Sequence, residues 1–176
     1  MIVRETPLSG AFVVDVEPAQ DARGLFARTF DRETFAAHGL AVTIDQVSVS
    51  YNERAGTLRG MHYQADPHGE EKLVRCVRGA IHDVIVDLRP DSPTLKQSFG
   101  IDLDEDSRTA LYIPKGMAHG FLTLTDAAEV LYLISTPYVP DAARGVRWDD
   151  PAFGIDWPGS PQVMSDRDRT YPDFQP

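Results

Sequence analysis

A chain of 176 residues with 27 acidic and 17 basic side chains, net charge -10, is a poor match for nucleic acid or an anionic membrane. Both need a basic surface. With 42% hydrophobic and 25% charged residues, it has the make-up of one globular domain, residues 1–176, with a sizeable core. The single Cys76 cannot close an internal disulfide and the opening MIVRETPLSG has no apolar leader, so the expected compartment is the cytoplasm.

In chain order, FVVDVEP (Phe12 to Pro18) is the first predicted strand. DRETFAAHG (Asp31 to Gly39) is the one stretch with helix punctuation, an Asp to cap the start and a Gly to end it. TIDQVSVSYN (Thr43 to Asn52) alternates and is β-branched, which predicts a strand. KLVRCVRGAIHDVIVDLRP (Lys72 to Pro90) reads as two strands joined at Arg78-Gly79. FGIDLDE, TALYIPKG, AHGFLTLTD and EVLYLISTPY continue the series, broken by DED, PKG and TDAAE. Beyond about Thr136 the chain turns rich in Pro, Asp and Trp. That predicts an irregular tail wrapped on the core and held by Trp148, Phe153 and Trp157. Many short strands at near-regular spacing predict an all-β, antiparallel sandwich or barrel without internal repeats.

The five histidines separate by context. His38 falls in the last helical turn, where a cation suits the dipole. His68, in ADPHGEE, reads as exposed. His82 alternates with Val84, Val86 and Leu88, as a packed, hydrogen-bonded histidine does. His62 in GMHYQ and His119 in MAHGF each sit beside a glycine, where backbone can approach a ligand closely. Their spacing is also that of the two cupin metal motifs. Gly56 is followed after five residues by His62, and PKGMAH (Pro114 to His119) supplies the second motif. Gln64, however, stands where the first motif has another His. Gln is a poor ligand for zinc or iron, so the spacing predicts a cupin barrel with a broken metal set and histidines free to move protons. A residual set of His62, His119 and Glu70 or Glu71 is the alternative.

RGMHYQ is similar to the RGLHYQ signature of the dTDP-4-dehydrorhamnose 3,5-epimerase family, and the resemblance runs through nearly the whole chain. It includes RGLF (Arg23 to Phe26), KLVRCVRGAIHDVIVDLR, IPKGMAHGF, LYLISTPYVP, GVRWDDPAFGIDWP and MSDRD. The resemblance implies a cupin-like antiparallel jelly-roll barrel, a homodimer, no metal and no cofactor. It also implies epimerisation of a nucleotide-diphosphate sugar carrying a 4-keto-6-deoxyhexose. A ketone at C4 acidifies the protons on C3 and C5, so epimerisation needs a base on one face, an acid on the other and a cation for the enolate. His62 resembles the family's base and Asp168 the carboxylate that orients it; an imidazole titrating near about 6.5 suits that work. Lys72 resembles the cation beside the enolate oxygen, and Tyr132 the acid that returns the proton.

By the same resemblance Arg23, Arg59 and Arg167 meet the diphosphate or nearby groups, as planar bidentate donors do well. His119 binds the substrate, Gln46 and Tyr138 contact the base, and Phe26 and Ser48 complete the set. Taken singly, Tyr132 reads more readily as a core aromatic, Lys72 as solvated and Asp168 as a surface charge, and Arg167 has the same surface alternative. A strict pleat places Arg59 and His62 on opposite faces, so both can line a site only if Gly60 marks a bulge. Arg28, Ser48, Leu133 and Ala143 depart from the family's usual residues at positions expected to contact nucleotide or sugar. These departures leave open epimerisation at one carbon, a ketoisomerase, or a CDP- or GDP-linked substrate. A metal-using cupin enzyme and a non-catalytic sugar-nucleotide binding module are the readings from other classes.

Overall fold

Residues that alternate between apolar and polar bury one side of each strand, and the chain folds into two antiparallel sheets laid face to face. The computed structural model describes residues 1–41 and 43–175. In spatial order the first sheet is β1 (Ile2–Glu5), β2 (Phe12–Asp15), β10 (Ala110–Ile113), β7 (Lys72–Arg78), β12 (Ala128–Ile134) and β5 (Gln46–Asn52). The second is β13 (Ala143–Gly145), β6 (Leu58–Gln64), β11 (Met117–Thr123), β8 (Ala80–Asp87) and β9 (Ser98–Asp104). Strands β3 (Ala19–Asp21) and β4 (Gly24–Phe26) form a separate hairpin whose residues are all exposed. This is the cupin-like jelly roll that the sequence predicts.

The interior between the sheets is filled by Val13, Val74, Ile81, Ile85, Leu103, Leu111, Phe121 and Val130, each at most 3% exposed. That packing decides the path at Arg78-Gly79. The two strands there are consecutive but do not pair with each other: β7 lies in the first sheet and β8 in the second. Gly79, with φ 70°, turns the chain across. Val74 and Ile81 then meet the same core from opposite walls, burying both where a flat hairpin would stack them on one face.

The expected helix is α1 (Arg32–Ala37). The Asp31 carboxylate accepts from the Thr34 N–H at 2.9 Å, and His38 closes the end by donating from Nδ1 to the Thr34 carbonyl at 2.8 Å. Phe35 hangs beneath it and covers the outer face of the first sheet against Leu73 and Tyr112. The tail after Thr136 is less irregular than its composition predicts. It contributes a 3-10 turn at Pro140–Ala142, the edge strand β13 and a short helix α2 (Asp166–Arg169). Strand β13 carries no alternating apolar pattern; pairing with β6 makes it a strand. Phe153 is buried against Val84, Val86 and Met61, and Trp157 donates its indole N–H to the Trp148 carbonyl at 2.9 Å. His82 lies under this tail, on the outer rather than the inner face, with Nδ1 2.6 Å from Asp102 and its ring against Trp157.

Candidate active site

Beside the packed core, the space between the sheets stays open as a cavity of about 730 Å³. Its two walls carry different chemistry. The second sheet supplies Arg59 and His62 from β6 and His119 from β11. The first supplies Gln46, Ser48 and Ser50 from β5, Lys72 from β7 and Tyr132 from β12. Asp168 and Arg167 enter from α2 and Tyr138 from the segment after β12.

Arg59 and His62 share the cavity because β6 is bulged. His119 pairs with His62 and Phe121 with Arg59, so two steps on β11 face three on β6. The extra residue lies at Gly60-Met61, where the strand changes face and Met61 turns into the outer cluster. Only glycine fits: Gly60 has φ 135°, and a Cβ there would lie 2.5 Å from Gly120 Cα. In the sequence Gly60, between two polar residues three apart, is the trace of it.

His62 Nε2 lies 2.7 Å from Asp168 Oδ1. Asp168 is 4% exposed, its second oxygen accepts from the Gly60 N–H at 3.2 Å, and its own N–H is capped by Ser165 at 3.1 Å. Burial by itself pushes this carboxyl up. The hydrogen bond and charge of His62, with help from Gly60 and Ser165, outweigh that and hold it below the ordinary carboxylate value. A carboxylate only accepts, so in the neutral ring Nε2 carries the proton and Nδ1 is left as a base.

Across the cavity, burial raises the Tyr132 phenol far above its ordinary value and Asp83 adds to the shift, while Ser50 and Arg59 oppose it. The residue is only partly covered because it faces the open cavity, yet its hydroxyl stays protonated over any ordinary pH. Lys72, 9% exposed, reaches Glu70 at 2.9 Å. Arg59 is steered by Asn52, which accepts from Nε at 2.7 Å. Gln46 lines the cavity, but its oxygen is taken by the Tyr138 N–H at 3.1 Å.

Composition and spacing leave Asp83 and Ser165 unremarked and offer Glu70 only as a metal ligand. Asp83, wholly buried, holds His119 Nε2 at 2.7 Å, and its other oxygen has no partner. The signal was available: an Asp in phase with Ile81 and Ile85 on a core-facing strand needs a polar partner. Glu70 restrains Lys72, and Ser165 caps the helix that carries Asp168 by accepting from its backbone N–H. No group of three His, Cys, Asp or Glu able to hold a metal occurs among the described residues, so His62, His119 and Glu70 or Glu71 do not form the residual set.

Arg23 and Phe26 are the two predicted binding residues that do not line this cavity. Both ride on the exposed β3–β4 hairpin; Arg23 folds back on Asp21 at 2.6 Å and Phe26 is 74% exposed. Three of the departures from the family's usual residues also lie elsewhere than expected, among them Ala143, which pairs with Gln64 on the edge of the second sheet. Leu133 points away from the cavity into the cluster under α1, and Arg28 lies outside it, 3.7 Å from Asp31.

A base held by a carboxylate on one wall, with a protonated phenol and a cation on the other, set in a jelly-roll barrel, define an enzyme that moves protons on carbon. The comparisons agree. The chain matches the family described as dTDP-4-dehydrorhamnose 3,5-epimerase over residues 5–176. It is 42% identical over 171 residues to the dTDP-4-dehydrorhamnose 3,5-epimerase of Methanothermobacter thermautotrophicus, covering 95% of this chain and 91% of that one. The crystal structure of the Bacillus anthracis dTDP-4-dehydrorhamnose 3,5-epimerase with TDP and PPi bound superposes with TM-score 0.94. Identity there is 39%, and the match covers 98% of this chain and 99% of the other. A 3′-monoepimerase from Streptomyces bikiniensis in complex with dTDP-quinovose is 37% identical with TM-score 0.89, over 97% of this chain and 86% of that one. The chain therefore belongs to the dTDP-4-dehydrorhamnose 3,5-epimerase family and is an isomerase.

Proposed function

We propose that the chain epimerises dTDP-4-dehydro-6-deoxyglucose at C3 and C5 to dTDP-4-dehydrorhamnose, in the cytoplasm. The observation that carries this reading is His62 on one sheet, paired with Asp168 from α2, facing Tyr132 on the other sheet. His62 Nδ1 takes the proton from carbon, and the electron pair passes onto O4 as an enolate. Lys72, itself 9% exposed, holds that developing charge. Tyr132 then delivers its proton to the opposite face of the same carbon and inverts it. Imidazolium and phenolate recover their neutral forms by proton exchange before the second carbon reacts. Glu70 holds the Lys72 ammonium in place through a 2.9 Å ion pair.

Arg59, Arg167 and His119 bind the diphosphate and sugar, Tyr138 stacks on the base, and Gln46 and Ser48 line its pocket. Arg23 and Phe26 serve the site of a second copy in a homodimer. Two features support this: the hairpin that carries them packs on neither sheet, and edge strand β5 exposes Val47, Val49 and Tyr51 at 64%, 57% and 51%.

Proton NMR of dTDP-4-dehydro-6-deoxyglucose in D2O tests the reading. The wild type introduces deuterium at both C3 and C5, and His62→Ala at neither. Exchange at C3 alone supports the second reading, a mono-epimerase, which the likeness to the 3′-monoepimerase favours. No exchange at either carbon sinks both.

A further inference from the structure

Gln64 occupies the position where the cupin spacing has a metal-binding histidine, and its side chain is fully engaged. It sits two residues after His62 on the same face of β6 and is 4% exposed. Its Oε1 accepts from the Val139 N–H at 2.6 Å. Its Nε2 donates to the Pro137 carbonyl at 3.2 Å, the His68 carbonyl at 3.1 Å and Glu70 Oε2 at 3.1 Å. The Val139 N–H can only donate, which fixes the carboxamide's orientation. A neutral imidazole offers one donor and one acceptor and could not serve this set.

Those partners belong to two different parts of the site. Glu70 uses its other oxygen to hold Lys72 at 2.9 Å, with both side chains about nine-tenths covered. Pro137 and Val139 flank Tyr138, whose own N–H is held by Gln46 at 3.1 Å. We propose that Gln64 is a positioning residue that joins the Glu70–Lys72 ion pair to both peptide groups flanking Tyr138. One buried strut then sets the group that stacks on the nucleotide base and the cation that meets the enolate. This rests on the roles given above to Lys72 and Tyr138. Its consequence is that stacking at Tyr138, remote from the reacting carbons, improves the chemical step as well as binding.

A double-mutant cycle in kcat and KM tests it, with dTDP-4-dehydro-6-deoxyglucose and the full chain as wild type, Gln64→Met, Tyr138→Ala and the double variant. Tyr138→Ala in the wild-type background raises KM and also lowers kcat, the latter about tenfold. In the Gln64→Met background Tyr138→Ala raises KM but leaves kcat within about twofold, because the link is already cut. Equal kcat losses in both backgrounds overturn the proposal, as does a Tyr138→Ala effect confined to KM in both. Should Gln64→Met fail to fold, Gln64→Glu decides in the same cycle, since it keeps the acceptor for Val139 but turns a carboxylate toward Glu70 and two carbonyls. A wild type that turns over no nucleotide-linked 4-keto sugar brings down the functional reading. Turnover without coupling brings down only the role of Gln64.

Discussion

Asp168 Oδ1 decides which nitrogen of His62 is a base, so the pair acts as one unit. Asp168→Asn turns an amide toward the ring, removes the charge that stabilises the imidazolium and permits the wrong tautomer. It is expected to lower kcat about 10²- to 10⁴-fold with little change in KM. Asp168 also carries a stability signature. Its folded-state pKa lies below the ordinary value, so its contribution is present at neutral pH and is lost as pH falls through the folded-state pKa. Thermal melts of wild type and Asp168→Asn should therefore differ most near neutrality and converge in acid. A gap that widens in acid contradicts the assignment. Tyr132 responds in the opposite sense, because burial keeps its proton on to high pH. Any loss of rate between pH 8 and 10 therefore arises elsewhere, and Tyr132→Phe leaves that limb of the profile in place while cutting the rate.

The bulge in β6 does the geometric work at the scale of elements, since without it Arg59 and His62 would face opposite sides. Gly60→Ala forces a Cβ against Gly120 Cα in a backbone conformation that side chains rarely adopt. We expect a cost of about 3 kcal/mol, a Tm lower by roughly 10 °C, and a site that loses activity even where the fold survives. A Gly60→Ala variant that melts and turns over like the wild type would falsify the bulge's role. A bulge at this point is visible in the sequence only as a conflict, two polar residues three apart that both have a use on one face. The pairing of β13 with β6 has no comparable trace, because the three residues Ala143, Arg144 and Gly145 become a strand only by meeting an edge.

At the scale of the whole molecule, the β3–β4 hairpin and the exposed row on β5 pose one question, and subunit complementation answers it. His62→Ala and Arg23→Ala are each expected to be nearly inactive alone. Refolded together, the proposed homodimer would pair at random to make half the dimers mixed, each with one intact site, so about a quarter of wild-type activity returns. No recovery on mixing rules out an exchanged hairpin. The candidate proton-transfer set was legible in the sequence through resemblance: His62, Lys72, Tyr132 and Asp168 stand in motifs similar to the family's, whereas singly the last three read as ordinary core or surface residues. The strands were legible because alternation records one-sided burial. The partners of those residues were not, since Asp83 to His119, Glu70 to Lys72 and Gln64 to the Tyr138 segment depend on which strands become neighbours. Sequence by itself determined an acidic, all-β chain with a broken metal motif and the groups for epimerisation. Only the tertiary structure decided that β7 and β8 part into opposite walls, that Leu133 turns away from the cavity, and that Gln64 bonds both Glu70 and the segment around Tyr138. Local sequence fixes what each strand buries, whereas pairing between distant segments fixes what it faces.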